Sequence, residues 1–178
     1  EISMKAEQYI NLGYQRLLTF EVRGGGFDWF GRAPANTVLT AYGIMELSDM
    51  ADVFTVDRGL IERAKRLLET RQNNDGSWSL DVGTHTWGTL EAELPVTAYV
   101  AWALAEGGYG DSSTAVRARG YLRPHIEDVR DPYVLALIAN ALVASGLDEA
   151  AASQALDKLA KCAHVHKGRA SWNTGAST

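Results

Sequence analysis

Seven segments of this chain carry helical periodicity, and they alternate between two kinds. Segments with an apolar stripe run from about Ile2 to Phe20, from Asp57 to the Asn73-Asn74-Asp75-Gly76 turn, from Ser112 to Asp128, and from Asp148 to Ala163. In the first, Ala6, Ile10, Gly13, Tyr14 and Leu17 share a face. In the third helix in chain order, Leu60, Ile61, Ala64, Leu67 and Leu68 do so, and in the last Ala152, Ala155, Leu156 and Leu159. Between them lie segments apolar on every side, from about Asn36 to Met50, Leu94 to Glu106 and Pro132 to Ser145. A helix that is apolar all round must be covered all round. Striped helices wet on one side are the natural cover.

Three inner helices wrapped by four outer ones predict an all-α fold with two concentric layers of antiparallel helices. That is a partial α/α toroid, with an open helical solenoid as the alternative. Internal repeats fit it. Thr40-Ala41-Tyr42 recurs as Thr97-Ala98-Tyr99, and Ala101-Trp102-Ala103-Leu104 recurs as Ala139-Asn140-Ala141-Leu142. A turn with a small residue before an aromatic appears as Gly26-Phe27-Asp28-Trp29, Asp75-Gly76-Ser77-Trp78 and Arg169-Ala170-Ser171-Trp172. Each is expected to drop an aromatic plug between neighbouring helix pairs. With fewer helices than a closed ring holds, residues 1–178 are expected to be one partial domain, truncated at both ends.

Several function classes are disfavoured. The net charge is -5, and no basic run offers a nucleic-acid surface. Apolar runs are too short to span a bilayer, so no membrane insertion is expected. Cys162 is the only cysteine, which excludes an internal disulfide and a cysteine metal cluster. No cofactor is expected. His125, His164 and His166 lack the acids that would complete a metal site. Gly24-Gly25-Gly26 is not followed by Lys-Ser or Lys-Thr and is read as a turn.

Longer strings identify a family resemblance. Gln72-Asn73-Asn74-Asp75-Gly76-Ser77-Trp78 is similar to the glutamine–tryptophan repeat of terpene cyclases, which share helical toroids with several families. Leu12-Gly13-Tyr14-Gln15-Arg16-Leu17-Leu18, Gly26-Phe27-Asp28-Trp29-Phe30-Gly31 and Asn36-Thr37-Val38-Leu39-Thr40-Ala41-Tyr42 then decide among them. In that order and spacing they resemble the thioester domain of α2-macroglobulin and complement proteins, downstream of the thioester. Ala64 to Trp78 and Glu93 to Leu104 continue the likeness, which thins after Gly146. The family's Cys-Gly-Glu-Gln motif does not occur in these residues, and Cys162 is read as a packed thiol. The motif is expected upstream of Glu1.

The resemblance implies a protease trap or covalent tag rather than an enzyme. The thioester is the acyl donor, and target proteases or cell-surface nucleophiles are the partners, together with other macroglobulin domains of the same chain. It implies an extracellular or periplasmic setting. In complement-like members a histidine attacks the thioester first, because neutral imidazole is a good nucleophile near pH 7. His85, in Asp81-Val82-Gly83-Thr84-His85-Thr86-Trp87, lies close to that position and is the candidate acyl-transfer modulator. A plain loop histidine at the toroid rim is the other reading, and both stay open.

Glu91 and Glu93 precede an inner helix, where acids favour the helix dipole without doing chemistry. Trp29, Trp78, Trp87 and Trp102 are read as core and turn plugs, since no Asp-rich diphosphate motif accompanies them. Two readings compete with the scaffold: a fragment of a terpene-cyclase-like or polysaccharide-lyase-like toroid enzyme, and a noncatalytic interaction module.

Overall fold

The computed structural model describes residues 2–81 and 92–173. Among them helices dominate, so the all-α expectation holds. The chain divides into two compact units, Glu1–Arg71 and Gln72–Thr178.

The first unit holds α1 (Ile2–Leu18), α2 (Thr37–Ala51) and α3 (Arg58–Arg71). Asn36 caps α2, its side-chain oxygen accepting from Leu39 N at 2.8 Å. Thr37, Thr40, Ala41, Gly43, Ile44 and Leu47 of α2 are buried. They pack on α3, whose stripe of Leu60, Ile61, Ala64 and Leu68 is buried as the periodicity predicts. Two details differ. Tyr42 is 38% exposed, so α2 is not covered on every side. In α1 only Tyr14 of the expected stripe is buried. Its hydroxyl accepts from Asp57 N at 3.0 Å, and its ring lies against Phe54.

The second unit holds α4 (Glu93–Leu104), α5 (Ser113–His125), α6 (Pro132–Ser145) and α7 (Glu149–Lys161). A π-helical turn, Ala105–Tyr109, continues α4 before α5 begins. α4 is buried from Pro95 to Ala101 and again at Ala103 and Leu104, which is what a helix apolar on all faces requires. It packs on α5 and α6, and α6 packs on α7. Side-chain caps start each of the last three helices. Ser112 accepts from Ala115 N, Asp131 from Tyr133 N and Asp148 from Ala151 N. Pro124 occupies the last turn of α5, and that helix ends at His125 instead of running on to Asp128.

The expected stripe of α7 is shifted, with Ala151, Ala152 and Ala155 buried and Leu156 exposed. The chain after Lys161 departs from expectation. His164–His166 (β1) and Arg169–Ser171 (β2) pair as an antiparallel hairpin, with His164 opposite Ser171 and His166 opposite Arg169. Lys167 at φ 47 and Gly168 at φ 74 make its turn. Arg169-Ala170-Ser171-Trp172 is therefore not a third plug-bearing turn. Trp172 is largely exposed, and its indole N–H donates to Leu159 O at 2.8 Å.

Candidate functional site: a wedge built twice

The two Gly-aromatic turns fold to the same hydrogen-bonded design. In the first unit Val22 N donates to Gly26 O and Gly25 N to Val22 O, each at 2.9 Å. In the second, Asn73 N donates to Ser77 O at 2.9 Å and Gly76 N to Asn73 O at 3.0 Å. Gly25 at φ +109 and Gly76 at φ +94 supply the left-handed backbone both turns need. A Cβ on Gly25 would meet the Arg63 carbonyl oxygen of α3, and one on Gly76 the Arg117 carbonyl oxygen of α5. Each turn thus lies flush against the next outer helix of its own unit.

The residue after each turn is a buried aromatic: Phe27 is 5% exposed and Trp78 is 0% exposed. The plug of the first turn is therefore Phe27, while Trp29 lies further out. Each buried aromatic donates its backbone N–H to a threonine hydroxyl of an inner helix. Phe27 N reaches Thr40 Oγ1, and Trp78 N reaches Thr97 Oγ1, both at 3.0 Å. The repeated Thr-Ala-Tyr string thus marks the acceptor of a buried amide, whose loss would cost about 1–3 kcal/mol. A second lock sits at the outer end. Arg63 Nε donates to Glu21 Oε1 at 2.8 Å, and Arg117 Nη2 donates to Gln72 Oε1. Glu21 and Gln72 occupy the same place in the two turns, as do Arg63 and Arg117 on their helices. The hydrogen bond to Glu21, and then its charge, hold the Arg63 guanidinium more firmly protonated.

Sequence reasoning found the plugs and the Thr-Ala-Tyr repeat, but not the threonine hydroxyls as acceptors or the two arginines. The arginines escaped because their distance from the turns differs between the copies.

The second wedge carries a longer polar relay. Asp75 Oδ1 accepts from both Ser77 N and Ser77 Oγ; these donors hold its carboxyl below the usual carboxylate range. Asn73 Nδ2 donates to Ser77 Oγ and Ser79 Oγ, and Ser79 Oγ donates to Glu93 Oε1 at 2.9 Å. Glu93 is thus a hydrogen-bonded anchor at the start of α4. Burial first, then the charges of Glu93 and Asp75, raise the Tyr121 phenol. The Tyr121 ring stacks on His125, whose Nδ1 lies 2.7 Å from Tyr121 O. In the first unit, a hydrogen bond to Glu46 chiefly raises the Tyr42 phenol. These groups are held by one another, a static arrangement suited to fixing a fold.

The candidate acyl-transfer residue His85 lies outside the described residues, as do Trp87 and Glu91. Cys162 is half-buried at the end of α7, and its backbone N–H caps carbonyls of the last turn. Trp102 is half-buried and donates its indole N–H to Glu106 at 2.8 Å. His164 and His166 are exposed on the hairpin. Among the described residues no three His, Cys, Asp or Glu side chains group as metal ligands. A shallow groove of about 300 Å³ lies between α7 and the segment before α6, lined by Glu127, Arg130, Gln154, Asp157, Lys158 and Lys161. Lys158 Nζ donates there to Ile126 O and Glu127 O, which ties α7 to the end of α5.

Comparison with known proteins agrees with this architecture. Over 179 aligned residues the chain is 28% identical to ovostatin of Gallus gallus, covering 97% of this chain and 12% of ovostatin. The chain thus spans about an eighth of the length of that relative. The family model described as "A-macroglobulin TED domain" matches residues 1–178. The chain belongs to the A-macroglobulin TED domain family.

Proposed function

We propose that this chain is the helical scaffold of the thioester domain of an α2-macroglobulin-like protein that traps proteases or tags surfaces covalently. The family match over residues 1–178 carries the reading. These residues contain no Cys-Gly-Glu-Gln string, so the scaffold shelters a thioester supplied by another part of the parent protein. Its contribution is rigidity within each unit. The wedges at Phe27 and Trp78 pin inner helices whose apolar faces keep water from the acyl donor. The chain turns over no substrate of its own. Its partners are target proteases or surface nucleophiles, met through the parent, and the neighbouring macroglobulin domains. The setting is extracellular or periplasmic; among the described residues no helix is long and apolar enough to cross a membrane. The family match does not favour the cyclase, lyase or interaction-module readings.

His85 serves in this proposal as the modulator of acyl transfer: its neutral imidazole attacks the thioester carbonyl, the C–S bond breaks, the cysteine leaves as thiolate, and a hydroxyl nucleophile then takes the acyl group from the imidazole. The test uses the parent protein. Methylamine should release a titratable thiol and abolish covalent capture of an added protease. His85→Ala should leave thiol release intact and shift covalent coupling from hydroxyl towards amine acceptors. No thiol release would remove the trapping reading. An unchanged acceptor preference would remove the role of His85 alone.

A further inference from the structure

The two turns share their backbone bonds but not their side chains. Where the second has Asn73, Asp75, Ser77 and Ser79, the first has Val22, Gly24, Gly26 and Asp28. Val22 N and Gly25 N make the same pair of bonds as Asn73 N and Gly76 N. The turn therefore forms without the polar relay of the second copy, and the relay must serve something else.

What it reaches is the start of α4. Asn36, Ser112, Asp131 and Asp148 each cap a helix with a side chain, but Ala92, before α4, makes no side-chain cap bond. Glu93, the first residue of α4, instead accepts from Ser79 Oγ at 2.9 Å. The relay is a fork with a single polarity. The Asn73 amide directs one hydrogen to Ser77 Oγ at 2.9 Å and the other to Ser79 Oγ at 3.0 Å. Each hydroxyl has one proton and passes it outward, Ser77 to Asp75 Oδ1 at 2.7 Å and Ser79 to Glu93. Every donor in the fork thus points away from Asn73, and each branch ends on a carboxylate.

Ionised carboxylates only accept, which matches that polarity. A protonated carboxyl has two choices. It can accept through a neutral oxygen, which forfeits the charge-assisted bond. Otherwise it donates and reverses its serine, which sets two donors face to face at Asn73. Asp75 and Glu93 are exposed to solvent, while Ser77 is fully buried. Of the groups on α5, Tyr121 feels the charge of both carboxylates, and positive charge on His125 favours the ionised Asp75 and so works against release. Arg117 is engaged by Gln72.

We propose that the fork is an acid-sensitive clasp: with Asp75 and Glu93 ionised it fastens the start of α4 to the second turn, and proton uptake by the two carboxyls releases it. The Asp75 branch is complete above the ordinary carboxylate range and is lost as pH falls through its depressed folded value.

Nuclear magnetic resonance of the full chain tests this directly. As pH falls from 7, the side-chain NH2 signals of Asn73 should move together with the carboxyl carbons of Asp75 and Glu93. Asn73→Ala removes the fork and keeps the backbone bonds of the turn. It should raise the urea-unfolding constant about five- to tenfold at pH 7, and less than about twofold at the acid end, where the clasp is already open. Ser79→Ala cuts only the branch to Glu93 and should have about half that effect on a logarithmic scale, with the same pH dependence. Asn73→Asp sets a third carboxylate against hydroxyls already committed, and should exceed Asn73→Ala at pH 7. A loss in Asn73→Ala as large in acid as at pH 7 would mean a merely structural asparagine and would overturn the proposal. So would Asn73 signals that hold still down to the acid unfolding of the unmodified chain, a result that decides the matter even where a variant fails to fold.

Discussion

The turns ending at Phe27 and Trp78 share one backbone pattern but are locked differently at the rim. The first uses an ion pair, Glu21 with Arg63, whose side chains remain 23% and 40% exposed. The second uses a neutral acceptor, Gln72, which also donates through Nε2 to Gly76 O at 3.0 Å and Thr114 O at 2.9 Å. One glutamine thus ties its own turn, the start of α5 and Arg117 together. The comparison teaches that the repeated element is the buried end, glycine, aromatic and threonine. The outer lock is free to vary because water screens it.

That ranking can be broken by mutation. Trp78→Ala should have the largest effect, about 3–5 kcal/mol in chemical denaturation, since a fully buried indole leaves a cavity. Phe27→Ala should fall at the lower end of the same range. Equal indifference of both variants would deny that either aromatic is a plug. Next come the glycines. Gly76→Ala and Gly25→Ala each place a side chain at positive φ against a helix carbonyl, at about 1–3 kcal/mol each for the backbone alone. Gly76→Ala should be the worse, because its Cβ would sit closer to the opposing oxygen.

Exchanging the outer lock should matter least in neutral solution. Glu21→Gln makes the first wedge resemble the second and should change stability by less than about 1 kcal/mol, as expected of a partly exposed ion pair. A larger loss would mean that the outer lock, and not the plug, sets the wedge. The last contrast is in acid. The folded-state carboxyl of Asp75 titrates below its ordinary range because Ser77 donates to its ionised form. Its contribution is therefore complete above the unfolded carboxylate range and disappears as pH falls through the depressed folded value. Asp75→Asn should flatten that limb of an acid-unfolding curve, by lowering stability at neutral pH while leaving the acid end unchanged.

How much was legible in the sequence follows from the range of each interaction. Periodicity located α2 to α7, because burial of Leu60, Ile61, Ala64 and Leu68, or of α4 on all sides, is written into residue spacing. It overstated α1, where Tyr14 of the striped face is buried but Ile10 and Leu17 are only half-buried and Ala6 and Gly13 are exposed. It missed the hairpin at His164–Ser171, since strands of three residues carry too little alternation to read. The plug at Trp78 was visible as Gly-Ser-Trp. The plug at Phe27 was blurred by Trp29 two residues on, because the sequence alone does not say which aromatic turns inward. The threonine acceptors and the Glu21–Arg63 and Gln72–Arg117 locks join residues far apart in the chain, and no local pattern encodes them. Of the candidate acyl-transfer site, His85 within the string Asp81-Val82-Gly83-Thr84-His85-Thr86-Trp87 is all the sequence offers.

The central physical claim concerns two amide protons. If Phe27 N–H and Trp78 N–H are buried and bonded to Thr40 and Thr97, both should resist deuterium exchange as strongly as helical core amides. Thr40→Val should then speed exchange at Phe27 alone, and Thr97→Val at Trp78 alone. Exchange of both amides at the rate of an open turn in the unmodified chain would contradict the account.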